Sequence, residues 1–330
     1  MNLILSLLLA VLFFGSRTLL LAGSGESSAE ILLHSPHPRP LSMAEAYSAI
    51  PANEGGIAAI NYNPAATGFL NASEVTFTGE RGFSDQNFGT LFYGYPTRWG
   101  VFAGDVLYST LGNLELSDTS GKTYTVKAQE DYVIETNFGK RLVKNISAGI
   151  NLKMIRTTLA ETITASAFAA DLGVMIIHQK WRGGLSFTNV GSKLKYVDQE
   201  ESLPQTYRLG ISRVDTVGSY GDLILSGDVI KENGKSYKEA VGFDFVWNKQ
   251  VSFRGGYKFN QTTGQINFGM GIKIIKFMLD YGLSDYGDLG RSHSVALTYY
   301  FPSDAEHLDE LITSPKDKFK EIWDREMEKQ

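Results

Sequence analysis

The chain has 330 residues, no cysteine and a formal net charge of −5. Disulfides, thiolate metal sites and thiol nucleophiles are therefore excluded, and no basic surface favours nucleic acid. Its 34 glycines, 16 tyrosines and 19 phenylalanines, with a mean hydropathy slightly below zero, do not suit a bundle of membrane helices but do suit a β-barrel, in which every second residue faces a polar lumen.

Residues 1–14 are apolar and rich in leucine; Gly15-Ser16-Arg17-Thr18, a second apolar patch and Gly23-Ser24-Gly25 follow. This order predicts a secretory signal peptide over residues 1–29, cleaved after Ala22 or Ala29, although no Lys or Arg precedes the apolar run. Residues 30–72 differ in kind, with five prolines, many small side chains and no alternation. They predict a compact plug tucked into a following barrel. A short helix is expected over residues 42–49, capped by Ser42 with Glu45 in the capping-box position, and a turn at Asn63-Pro64.

Two stretches of this segment carry a family resemblance. Arg39-Pro40-Leu41-Ser42-Met43-Ala44-Glu45-Ala46-Tyr47, followed by Ala58-Ala59-Ile60-Asn61-Tyr62-Asn63-Pro64-Ala65-Ala66, resembles the N-terminal signature of the PorV/PorQ family. That family is related to the FadL-type transporters of hydrophobic compounds in bacterial outer membranes. The resemblance implies an outer-membrane barrel and makes Asn61, Asn63, Pro64 and Ala65 the plug or hatch motif.

From residue 73 the hydrophobicity alternates with a period of two, the mark of β-strands with unlike faces. Fourteen candidates fall at 74–81, 87–95, 98–108, 131–141, 146–157, 166–177, 181–189, 205–214, 220–230, 238–248, 250–259, 265–274, 276–283 and 293–301. Many runs have the nine to eleven residues or so that a tilted strand needs to cross a bilayer. Phe253, Phe268 and Leu297 lie on the apolar parity, which is expected to face lipid. Connections after even-numbered strands are short, whereas residues 109–130 and 190–204 read as long loops, as for barrels with short periplasmic turns. The all-β reading is thus an antiparallel transmembrane barrel over residues 73–301, closing on Phe301. In residues 302–330 the alternation stops, and Phe319, Ile322, Trp323 and Met327 recur at helical spacing, predicting a periplasmic helical tail.

On the opposite parity, Asp171, Asp228, Asp244, Arg254, Lys258, Lys273 and Asp280 are expected to point into the lumen, either lining a polar path or pairing the wall with the plug. Inward glycines at Gly149, Gly173, Gly210, Gly242, Gly256, Gly269, Gly271 and Gly282 leave space for a plug or a ligand. The FadL resemblance implies a kink in the third strand, for which Gly100 and Gly104 are candidates. The five histidines stand without a serine elbow or a metal-ligand pair, so no enzyme, cofactor or metal is expected.

Two functions remain open. One is a passive outer-membrane channel, its partners being membrane lipid and a hydrophobic small molecule. The other is a PorV-like barrel that docks exported proteins in type IX secretion, with the long loops or the tail as binding surfaces. A soluble β-sandwich is the remaining alternative.

Overall fold

A computed structural model describes residues 29–82, 85–117, 121–197, 199–261 and 263–302. The expected signal peptide, except Ala29, and the expected tail, except Pro302, lie outside the described residues. The strands are β1 (Glu74–Arg81), β2 (Asn87–Thr97), β3 (Gly100–Ser117), β4 (Thr123–Val143), β5 (Ile146–Leu159), β6 (Ile163–His178), β7 (Trp181–Gly191), β8 (Leu194–Tyr196), β9 (Gln199–Glu201), β10 (Thr206–Val217), β11 (Gly221–Glu232), β12 (Tyr237–Trp247), β13 (Val251–Phe259), β14 (Ile266–Ile274), β15 (Phe277–Asp285) and β16 (Arg291–Tyr300). All except β8 and β9 join one closed antiparallel barrel of fourteen strands, sealed where β1 pairs with β16 and Thr76 lies opposite Thr298. Closure leaves no unpaired edge, which is what makes a sheet compatible with lipid.

Side chains alternate sharply across the wall. On β6, Ala165, Ala167, Ala169, Asp171, Gly173 and Met175 are buried in the lumen, while Phe168, Leu172, Val174 and Ile176 are exposed on the outside. Phe253, Phe268 and Leu297 likewise face outward. An apolar belt facing away from a polar interior is the inverse of a soluble fold, and only hydrocarbon solvates it. Trp99, Trp247 and Phe277 are exposed near one rim, and Tyr132, Tyr207 and Tyr237 toward the other. These are the two aromatic girdles of a bilayer-spanning barrel.

Connections are short at the first rim (98–99, 144–145, 179–180) and longer at the second (192–205, 260–265), which places the first in the periplasm. One expected loop is corrected and a second holds a small hairpin. Residues 109–130 are mostly strand: β3 and β4 run on to Ser117 and back from Thr123 in continuous pairing. β4 has 21 residues, about ten more than a spanning strand needs, so the hairpin projects beyond the barrel. There Lys127 and Tyr108 donate hydrogen bonds to Glu130, and these hold its carboxyl below the ordinary carboxylate range. Within residues 190–204, β8 and β9 form a small hairpin that buries Leu194 against the lumenal wall.

The helix expected at 42–49 is also corrected. A single helical turn spans Pro38–Ser42, capped by the His37 ring, which accepts a hydrogen bond from the Arg39 amide. Ala44 and Glu45 both adopt left-handed backbone angles, which end any helix at Met43. The physical reason is tertiary: the Met43 and Ala44 backbone lies against Gly242 and Gly256 of the wall, and Glu45 turns toward wall cations.

Candidate functional site

The irregular segment 29–72 occupies the inside of the barrel. Chain without regular structure must satisfy its backbone polar groups some other way when water is excluded, and wall side chains supply the partners. Ser147 Oγ donates to the Ala65 carbonyl at 2.7 Å, Ser186 Oγ to Tyr62 at 2.6 Å and Ser212 Oγ to Ala49 at 2.8 Å. Asn151 Nδ2 donates to the Ile60 carbonyl at 3.1 Å. In return, Asp228 accepts from the amides of Tyr47 and Ser48.

The Asn61–Ala65 stretch is the most heavily stitched part. Asn63 Oδ1 accepts from the Ala65 amide and so caps the helical turn Pro64–Phe69, while its Nδ2 donates to the carbonyls of Ser48 and Val174. Asn61 Nδ2 reaches Asp105 on β3 at 2.9 Å. Pro64 at the first position of that turn needs no amide partner, and its carbonyl accepts from Asn137.

Charged pairs fasten the other half. Asp244 receives Arg39 at 2.8 Å and Arg254 at 3.0 Å, and Arg254 also holds Asp280 at 2.5 Å. Glu45 binds Lys258 at 2.7 Å and lies 3.7 Å from Arg208. Glu54 pairs with Arg182. Of the predicted lumenal residues, Asp228, Asp244, Arg254, Lys258 and Asp280 thus gather around the N-terminal segment. Lys273 instead sits exposed at the periplasmic rim, its ammonium 4.8 Å from the Tyr300 ring.

Asp171 belongs to a second group. Lys153 Nζ lies 2.7 Å from Asp171, 3.1 Å from Glu135 and 3.0 Å from Asn189 Oδ1, with Asp105 in register beside Glu135. Sequence reasoning did not single out Lys153, Glu135 or Asp105. All three lie on the inward parity of their strands, and that parity was the available signal.

The inward glycines are contact points. A Cβ on Gly149 would lie 2.3 Å from the Pro64 oxygen, and one on Gly269 would lie 1.9 Å from Ser42 Oγ. Gly173, Gly210, Gly242, Gly256 and Gly282 face the same segment as closely, whereas the space at Gly271 is taken by Asp280, Met278 and Arg254. Gly139 and Gly184, also pressed against the segment, went unnoticed.

No register shift falls at Gly100 or Gly104, where a kink was expected. Gly100 opens β3 after the turn from β2, and Gly104 pairs with Tyr93 and Thr136 in unbroken register. Its missing side chain serves close approach, since a Cβ there would meet the Glu135 carbonyl at 2.5 Å. The register shifts lie at Arg141/Val143 and at Ala170/Leu172.

Above and below the segment the lumen opens. The outer cavity measures about 840 Å³ and is bounded by Ile31, His34, Phe88, Asp131, Tyr196 and the Glu45–Lys258 pair among others. The periplasmic cavity measures about 320 Å³ and is bounded by Arg39, Glu74, Lys273 and Tyr300 among others.

A closed fourteen-strand barrel with a lipid-facing belt, aromatic rims and a filled lumen is a transmembrane barrel of the bacterial outer-membrane type. Within that class its fold is similar to solved FadL- and TodX-type structures. The Pseudomonas putida toluene transporter TodX superposes with a TM-score of 0.55 at 10% identity, covering 80% of this chain and 97% of TodX. The monoaromatic hydrocarbon channel CymD gives 0.54 at 11% identity, covering 81% and 98%. A FadL homologue of Pseudomonas aeruginosa gives 0.53 at 14% identity, covering 82% and 99%. No protein-family profile and no curated protein sequence matches the chain.

Proposed function

We propose that this chain is an outer-membrane channel that collects small hydrophobic molecules in the outer cavity and passes them inward when the N-terminal segment shifts. The observation that carries this reading is the arrangement of two lumenal cavities, about 840 Å³ and 320 Å³, separated by a segment held through side-chain contacts and by no strand of its own. Contacts of that kind break and re-form one at a time, whereas a strand woven into the sheet would not yield. The likeness to a toluene transporter and a hydrocarbon channel supports the same reading. On it, Asn61, Asn63, Pro64 and Ala65 anchor the hatch, residues 1–29 act as the export signal, and residues 302–330 follow the last strand into the periplasm.

The PorV/PorQ resemblance is carried by the motifs at residues 39–47 and 58–66 and by the strand pattern that follows them. The docking role it implies has the projecting β3–β4 hairpin as its candidate surface and draws no support from the structural neighbours.

The test is uptake of radiolabelled toluene by cells whose outer membrane carries this chain in place of their own hydrocarbon channels. Lipopolysaccharide slows apolar solutes, so the chain should raise the initial rate several-fold. A rate equal to that of cells without it would contradict the reading.

A further inference from the structure

Strand register arranges the lumenal wall of β3 to β6 in level rows. Ser109, Asp131 and Thr157 form one row; Leu107, Val133, Ile155 and Ala167 form the next toward the periplasm; Asp105, Glu135 and Lys153 form the third. The apolar row is covered by Ile31, Leu194 and Leu203. Ser109 and Asp131 of the first row border the outer cavity, where Asp131 stands among Ile31, Phe88, Leu111 and Leu159.

The charges around this cavity are not balanced. Its basic side chains are already engaged: Lys258 and Arg208 with Glu45, and Lys238 with Glu232 at 2.5 Å. Four lining carboxylates have no cation partner among the described residues: Glu30 and Glu201 are exposed to water, Glu239 accepts from Asn260, and Asp131 alone of the four is buried. The groups that its carboxylate accepts from are neutral, Ser109 Oγ at 3.2 Å and Gln129 Nε2 at 2.9 Å, with the Thr157 hydroxyl beside them. Hydrogen bonds from neutral groups orient a carboxylate without cancelling its charge. Glu80, on the same cavity, is answered by His34 and Ser292. An incoming carboxylate would therefore find every lining cation taken and meet Asp131, whereas an ammonium would find an open counter-charge beside an apolar surface.

Resting on the channel reading above, we propose that the outer cavity selects amphiphiles with a cationic head, such as arylalkyl amines, over their carboxylate counterparts, and that Asp131 holds the ammonium. The apolar body lies along Phe88, Leu111 and Leu159, and the head sits beside Ser109, whose hydroxyl oxygen accepts one of its hydrogen bonds.

The test is equilibrium binding to the full chain in detergent micelles, using three probes of one skeleton: 4-phenylbutylamine, 4-phenylbutanol and 4-phenylbutanoate. The amine is expected to bind about tenfold or more tightly than the carboxylate, with the alcohol between. Asp131→Asn, which keeps the shape and the Ser109 contact, should bring the amine down to the level of the alcohol and leave the alcohol unchanged. Because a lumenal substitution can disturb folding, the variant is checked for the heat-resistant compact band of a closed barrel. Lys258→Gln offers a second arm: it removes the nearer of the two cations on Glu45, leaving Arg208, and should strengthen amine binding further. Equal or tighter binding of the carboxylate, or an amine preference that survives Asp131→Asn, overturns the proposal. Absence of binding by all three probes overturns it as well. Toluene uptake by cells reports separately on the channel reading, since it involves no charged head.

Discussion

Arg39 and Asp244, separated by 205 positions in the chain, meet in the lumen through two guanidinium nitrogens on one carboxylate oxygen, at 3.0 and 2.8 Å. Arg254 shares that oxygen from the neighbouring strand. The junction couples the N-terminal segment to the wall, and its strength follows from burial, because water does not reach Asp244 to screen it. Asp244→Asn leaves the buried Arg39 guanidinium facing a neutral amide, while Arg254 keeps Asp280, and should lower the unfolding free energy by about 3–5 kcal/mol. Urea titration of the barrel in lipid vesicles measures this. Replacing Arg39 by Met at the same time should recover part of the loss; a single variant that shifts stability by less than about 1 kcal/mol would show that the junction is solvated.

Gly269 tests the fit of segment to wall by size alone. A methyl group there has no room beside Ser42, whereas a Cβ on Gly79 of β1 meets nothing within 4 Å. Gly269→Val should therefore force the segment away or cost about 1–3 kcal/mol in overpacking, while Gly79→Ala should be near neutral. A cysteine at Ser42 reports the difference: slow to react with a maleimide in the parent barrel, it should react much faster in the Gly269→Val background. Equal reactivity in both would mean that the segment does not press on the wall.

The lipid-facing belt predicts a depth-dependent penalty. Leu172 lies mid-strand on the outer face of β6 and is well exposed. Leu172→Arg should destabilise the folded barrel by about 2–4 kcal/mol in a bilayer. A nitroxide on a cysteine at Leu172 should be relaxed strongly by oxygen and weakly by a water-soluble nickel chelate. No native cysteine complicates that labelling.

The strands were legible because lipid on one side and a polar lumen on the other impose opposite demands on adjacent residues. In β13, Phe253 and Arg254 cannot exchange places, and a period of two survives over the whole span. The outer halves of β3 and β4 were not legible. Beyond Leu111 both faces meet water, so residues such as Asn113, Glu115 and Thr125 carry no alternation that marks them as strand. The turn at Pro38–Ser42 was misplaced for a related reason: local capping favoured residues 42–49, but Glu45 is drawn to Lys258 and the backbone at Met43 to Gly242. Those are contacts between positions some two hundred residues apart, and no local pattern encodes them. Parity brought out Asp244, Arg254, Lys258 and Asp280, yet which lumenal charges pair with the segment and which with one another depends on strand register. For that reason the Lys153 group and the unbalanced Asp131 emerged only from the folded chain.

That passage requires the N-terminal segment to move is tested most directly by tying it down. A Cβ on Gly139 would lie 3.2 Å from the Thr67 Cβ and 2.8 Å from the Gly68 amide nitrogen, a few tenths of an ångström inside the Cβ separation of a disulfide, so the pair Thr67→Cys and Gly139→Cys closes a tether after a small local shift of the segment, in an otherwise cysteine-free chain. With the disulfide formed, toluene uptake should fall to the rate of cells lacking the chain and return on reduction. Uptake that runs equally fast in the oxidised and reduced states would contradict a moving hatch.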